Sequence, residues 1–153
     1  MLVSEAMTHQ AETVGPDDTL EAAARKMRDV GVGAVAVCEE GRPVGMLTDR
    51  DIVVRGVAAG RSPAETPVRA VMTAQLMACR DDEDLEFAAT RMETLAVRRL
   101  AVVDGAGRLL GMLSVDDVAL HSNRLAGEII EQARAPERPA HRGAWPWWEE
   151  PAR

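Results

Sequence analysis

Gly45-Met-Leu-Thr48-Asp-Arg-Asp51 and Gly111-Met-Leu-Ser114-Val-Asp-Asp117 spell one pattern twice, Gly-x-x-Thr/Ser-x-x-Asp. Working outward at the same offset of 66 residues, Gly41-Arg42 lies over Gly107-Arg108. Further upstream the offset becomes 65. There Val3-Ser-Glu-Ala-Met7-Thr8 lies over Val68-Arg-Ala-Val-Met72-Thr73, Leu20-Glu21 over Leu85-Glu86, and Ala23-Ala24 over Ala88-Ala89. Met27 falls over Met92 and Ala36-Val37 over Ala101-Val102, so the extra residue sits in the second copy's turn. A period this long marks a duplicated module and not a solenoid repeat.

Each copy predicts the order β-α-β-β-α. A short extended piece, Glu12–Val14 or Met77–Arg80, leads into a helix. In the first copy Asp18-Thr-Leu-Glu21 places a cap residue three positions before an acid. The apolar face that follows is Leu20, Ala23, Ala24, Met27 and Val30, closed by Gly31 and Gly33. In the second copy the helix is expected from Asp82, with Leu85, Ala88, Ala89, Met92 and Leu95 on its face. Ala34–Cys38 with Val44–Leu47, and Leu100–Val103 with Leu109–Leu113, read as hairpins around Gly-containing turns. A half of about 60 residues buries little surface alone. Two such halves packed sheet to sheet around a pseudo-twofold axis give an α+β fold with one shared cleft. The organisation expected is a first copy at 1–62, a second at 63–134 ending in a helix over Ser122–Arg134, and a tail at 135–153. The tail holds four of the eight prolines and all three tryptophans, and its composition predicts disorder.

The totals narrow the function. The net charge of −7 argues against non-specific nucleic-acid or anionic-membrane binding, which both draw on positive charge. No window approaches the roughly 18 apolar residues of a membrane span, and no leader pattern opens the chain, so a cytoplasmic location is expected. Cys38 and Cys79 make no disulfide framework and read as reduced strand residues. His9, His121 and His141 lack ligand spacing, so no metal is expected. No serine or cysteine carries the local signature of an activated nucleophile, so no catalytic residue is assigned.

The repeated string itself carries the candidate site. It falls where a strand ends and a helix begins, a place that favours phosphate through unpaired N–H groups and the helix dipole. Thr48 and Ser114 would add hydroxyls, and Asp51 and Asp117 would accept from ribose. Gly45 and Gly111 would let the backbone approach a ligand. The same spacing is equally that of an ordinary N-cap with an acid in the first turn. Arg98-Arg99 precedes a strand and reads either as a phosphate partner near the cleft or as an exposed pair solvating the strand edge, while Arg50 and Arg55 read as solvated or ion-paired. Asp81-Asp-Glu-Asp84 reads as an acidic helix start.

The duplicated β-α-β-β-α units, the opening Met-Thr of each, Val102-Val103-Asp104 before a Gly turn, and the Gly-x-x-Thr/Ser-x-x-Asp strings resemble the CBS-domain family over roughly Val3–Ser122. In the second strand, Ala36 and Ala101 stand where that family often has Pro. The resemblance implies a regulatory module, not an enzyme, with no cofactor required. Its ligand would be an adenine nucleotide such as AMP, ADP, ATP or a related adenosyl compound. Thr48 and Ser114 would meet phosphate, Asp51 and Asp117 ribose, and the backbone at Thr13–Val14 and Ala78–Cys79 the base. Arg99 is a further phosphate candidate. The family also implies a homodimer whose output passes to an unknown effector protein. The alternative is a ligand-free interaction or structural homodimer acting through its surface or its Trp-rich tail.

Overall fold

The computed structural model describes residues 1–74 and 76–134. The 135–153 tail, for which disorder is expected, lies outside them. The chain runs α1 (Val3–Ala6), β1 (Thr8–His9), β2 (Thr13–Val14), α2 (Leu20–Val30), β3 (Ala34–Glu39), β4 (Arg42–Thr48) and α3 (Asp49–Asp51). The last of these widens at once into a π-helix over Ile52–Val57, and a 3₁₀ turn follows at Val68–Ala70. The second copy then gives β5 (Ala78–Arg80), α4 (Leu85–Leu95), β6 (Arg99–Val103), β7 (Leu109–Ser114), α5 (Val115–His121) and α6 (Asn123–Arg134).

Two sheets result, ordered β2-β3-β4 and β1-β7-β6-β5. In each, the copy's first strand pairs in parallel with its second, Thr13 opposite Ala36 and Ala78 opposite Ala101. The second pairs antiparallel with the third, and the register slips at equivalent places, Val37/Cys38 and Val102/Val103. The fourth position in each sheet is taken by the opening segment of the other copy. Thr8 pairs with Met112, and Thr73 forms an isolated bridge with Met46. The cores follow the same exchange. Val3, Ala6 and Met7 pack with Leu85, Met92, Leu100 and Leu113, whereas Val68 and Val71 pack with Leu20, Val35 and Leu47. The sequence units 1–62 and 63–134 therefore trade their first segments in space.

Strand alternation separates two faces. Val35 and Val37, like Leu100 and Val102, turn into the helix-covered cores. Ala36 and Ala101 point the other way, yet both have no exposed surface and belong to neither core. Their burial comes from the layer between the two sheets. Alanine at these two places, where the resemblance leads one to expect Pro, keeps the backbone N–H that Pro would remove.

The helix starts differ from expectation by a residue or two. Thr19, not Asp18, caps α2 by accepting from Ala22 N at 3.1 Å. Asp18 instead closes a turn on Gly15 N at 2.7 Å. Asp84, not Asp82, caps α4. Arg80 holds Asp82 away through contacts of 2.8 and 2.9 Å, and this ion pair keeps the Asp82 carboxyl below its usual range. On α2 only Leu20, Ala23 and Met27 are buried. Ala24 and Val30 face outward, because the covered stripe is narrower than the apolar pattern suggests. Leu95 of α4 is likewise exposed. Ser122, in extended backbone, breaks the expected continuous final helix into α5 and α6.

Candidate functional site

Both motif strings fold into reciprocal caps. Thr48 Oγ1 accepts from Asp51 N at 3.1 Å, and Thr48 N donates to Asp51 Oδ2 at 3.0 Å. Ser114 Oγ accepts from Asp117 N at 3.2 Å, and Ser114 N donates to Asp117 Oδ2 at 2.7 Å. The cap half of the sequence reading is thus realised in each copy, and it is the local reason β4 and β7 turn into helices here. Each Asp spends Oδ2 on its cap and keeps Oδ1 outside it. Asp51 Oδ1 lies 3.9 Å from Arg55 Nε, and Asp117 Oδ1 accepts from Thr8 Oγ1 at 3.4 Å. Ser114 Oγ also donates to Asp117 Oδ2 at 2.6 Å.

The motif glycines serve a purpose the sequence did not disclose. A Cβ on Gly111 would stand 2.3 Å from the Thr8 carbonyl oxygen. A Cβ on Gly45 would stand 2.8 Å from the Thr73 carbonyl oxygen and 2.9 Å from Met72 Sδ. These are backbone approaches of the exchanged segments. The expectation that both glycines make room for a ligand is corrected accordingly: they make room for the other copy's strand.

The strand candidates divide. Thr13 and Ala78 are half-buried, while Val14 and Cys79 turn their side chains into the cores, leaving their backbone as the part that can face a ligand. Burial pushes the Cys79 thiol up to about 12. Two basic residues that sequence reasoning passed over reach these strands from α2 and α4. Lys26 Nζ donates to the Thr13 carbonyl at 2.6 Å, and Arg91 Nη1 donates to the Ala78 carbonyl at 2.9 Å. Their signal was available, since positions 26 and 91 are basic and stand one repeat apart. Each carbonyl keeps a second lone pair. Thr8 belongs to the repeated opening Met-Thr, and its place beside Asp117 has no signal in the sequence.

Arg99 is exposed on β6 directly opposite Ser114. The equivalent position in the first copy is Ala34, opposite Thr48. Between the copies, a cavity of about 310 Å³ is lined by Gln10, Ala11, Thr13, Cys38, Gly41, Leu109 and Leu110. Thr13 is the one site candidate in its wall. The motif residues lie at the opposite ends of β4 and β7 from the turns that border it. The copies meet again here, where Leu109 N donates to the Gly41 carbonyl at 3.1 Å. Among the described residues no group of three His, Cys, Asp or Glu converges, and no helix is long and apolar enough to cross a membrane.

The chain is similar to several known proteins. The CBS domain protein YhcV of Bacillus subtilis is 40% identical over 130 residues, covering 84% of this chain and 91% of that protein. Hypoxic response protein 1 of Mycobacterium tuberculosis is 36% identical over 109 residues, or 71% of this chain and 76% of its own. Among solved structures, the CBS domain protein PAE2072 of Pyrobaculum aerophilum, in complex with AMP, matches with a TM-score of 0.71 at 22% identity. That match covers 88% of this chain and all of the other. The CBS domain pattern matches residues 3–56 and 68–123, one span in each copy. With the repeat, the exchanged strands and the paired helix caps in place, the chain belongs to the CBS-domain family and carries two such domains as a pair.

Proposed function

We propose that this pair is a regulatory module that binds an adenine-type nucleotide in the cleft between its copies and hands the resulting change to a separate effector protein. The observation that carries this reading is the same at both motif ends. One carboxylate oxygen of Asp51 and of Asp117 holds the helix start, and the other lies outside the cap, suited to a ribose hydroxyl. The complex of PAE2072 with AMP supports the ligand class. Ligand contacts to both copies at once would favour one arrangement of them, a population shift and not catalysis.

Calorimetry and melting of Asp51→Ala and Asp117→Ala test this. Each substitution is expected to weaken its own site by about 10- to 100-fold, the value of a hydrogen bond to a charged group. Stability without ligand should fall by only about 0.5–1 kcal/mol, from losing charge near a helix start. Affinity unchanged in both variants would leave these residues as caps alone.

The same reading includes a homodimer. Val53, Val54 and Val57 are exposed on the π-helix, and Phe87 and Leu120 are exposed on α4 and α5. These apolar faces favour a second copy. Light scattering at micromolar concentration should give two chain masses, and one chain mass would remove the dimer.

A further inference from the structure

The two ends of the cleft are not electrically equivalent, and this difference deepens the nucleotide reading on which it rests. On β6, Leu100 and Val102 enter the helix-covered core, so Arg99 stands on the opposite, cleft side of the sheet. It is the direct cross-strand partner of Ser114, a pairing that sets Cβ atoms about 4.5–5.5 Å apart. Among the described residues Arg99 makes no ion pair. The Ser114 hydroxyl already donates its hydrogen bond to Asp117, so an anion at this end must draw on the guanidinium.

At the Thr48 end no guanidinium stands across the strand pair, and the exposed Arg50 lies in the helix start beside Asp49. Ala34 is the cross-strand partner of Thr48. The nearby Arg55 is committed, donating to the Val71 and Met72 carbonyls at 3.1 and 3.4 Å while lying 3.9 Å from Asp51. Asp49 follows Thr48, with its carboxylate 3.0 Å from where a Cβ on Gly33 would sit. The corresponding residue after Ser114 is Val115, which is buried and uncharged. Asp116, one place further on, is exposed.

We propose that Arg99 makes the Ser114–Asp117 end selective for a phosphorylated adenine nucleotide, while the Thr48–Asp51 end takes an adenosyl group without a phosphate requirement. Arg99 is the specificity-determining residue. Its fork binds phosphate oxygens bidentately, and Ala34 offers no counterpart at the other end.

The test is calorimetric titration of AMP and of adenosine into the wild type, Arg99→Ala and Ala34→Arg. Arg99 is exposed, and melting each variant without ligand checks that the fold is kept. Arg99→Ala should lose AMP affinity by about 10- to 100-fold while adenosine affinity changes less than about twofold. Ala34→Arg should raise the preference for AMP over adenosine at the Thr48 end, read as a second AMP-selective event. If Arg99→Ala leaves AMP binding unchanged, or weakens AMP and adenosine alike, the assignment of Arg99 is wrong although the nucleotide reading survives. If neither compound binds the wild type, the nucleotide reading itself fails and takes this proposal with it.

Discussion

The equivalent helices α2 and α4 of the two copies are eleven residues each and end in left-handed backbone, but on Gly31 in one and on Ala96 in the other. Where the copies interlock, by contrast, both have glycine, and a side chain there would meet backbone at 2.8 Å in the first copy and 2.3 Å in the second. The duplication has been free to drift where the cost is local strain. It has been held where one copy's strand lies against the other's. A second contrast follows the motif: the first copy widens into a π-helix, in which Gly56 packs close to Leu20, whereas the second stays α-helical and continues into α6. π-turns commonly mark functional places in helices.

The interlocked glycines give the sharpest test. Gly111→Ala should cost about 3 kcal/mol, because its methyl group would overlap a ladder carbonyl that cannot swing aside. Gly45→Ala should cost less, about 1–2 kcal/mol, since part of its contact is the flexible Met72 side chain. Urea unfolding of both variants measures the difference, and an equal or reversed order would break the comparison.

The helix ends come next. No atom lies within 4 Å of a Cβ built on Gly31, so Gly31→Ala should cost only its backbone strain, about 1 kcal/mol. Ala96→Gly should gain about as much, because Ala96 has φ of 52°. Opposite signs in thermal melting sharpen the reading, whereas a loss in both would show that Ala96 is held by packing.

The effect expected to be smallest at neutral pH separates the cysteines. Cys79 is buried, its thiol raised from 9.0 to about 12, while Cys38 is half-exposed and raised less. Above pH 9.0 the unfolded chain releases the Cys79 proton and the folded chain keeps it, so stability should fall between pH 9.0 and about 12. Cys79→Ala should flatten that slope relative to wild type, and Cys38→Ala should change it much less. An unaltered slope in Cys79→Ala would mean that another group titrates there.

Much of the fold was legible because a duplication doubles every signal. The pattern Leu20, Ala23, Met27 is weak alone, yet Leu85, Ala88, Met92 repeats it at one offset. The strands were readable from valine runs meeting glycine turns. Helix caps were misread by one or two residues where several acids compete, since Asp18 and Asp82 found partners outside the helix that a linear pattern does not show. In the site, the pairing of Thr48 with Asp51 and of Ser114 with Asp117 was readable from spacing, because three residues make one helical turn. The roles of Gly45 and Gly111, and the place of Thr8 beside Asp117, were not. They depend on contacts between segments of different copies, Thr8 and Asp117 standing 109 positions apart, and no local period encodes them.

The exchanged opening segments also bear on how the chain is made. Residues 3–7 are synthesised first but belong to a core whose other members, Cys79 through Ile129, come much later. The first copy is in turn incomplete until Val68 and Val71 have emerged. On the ribosome, neither copy closes its interior from its own unit alone. A chain cut near Gly60 should therefore yield two fragments that fold poorly apart and recover together, because each holds the other's missing piece.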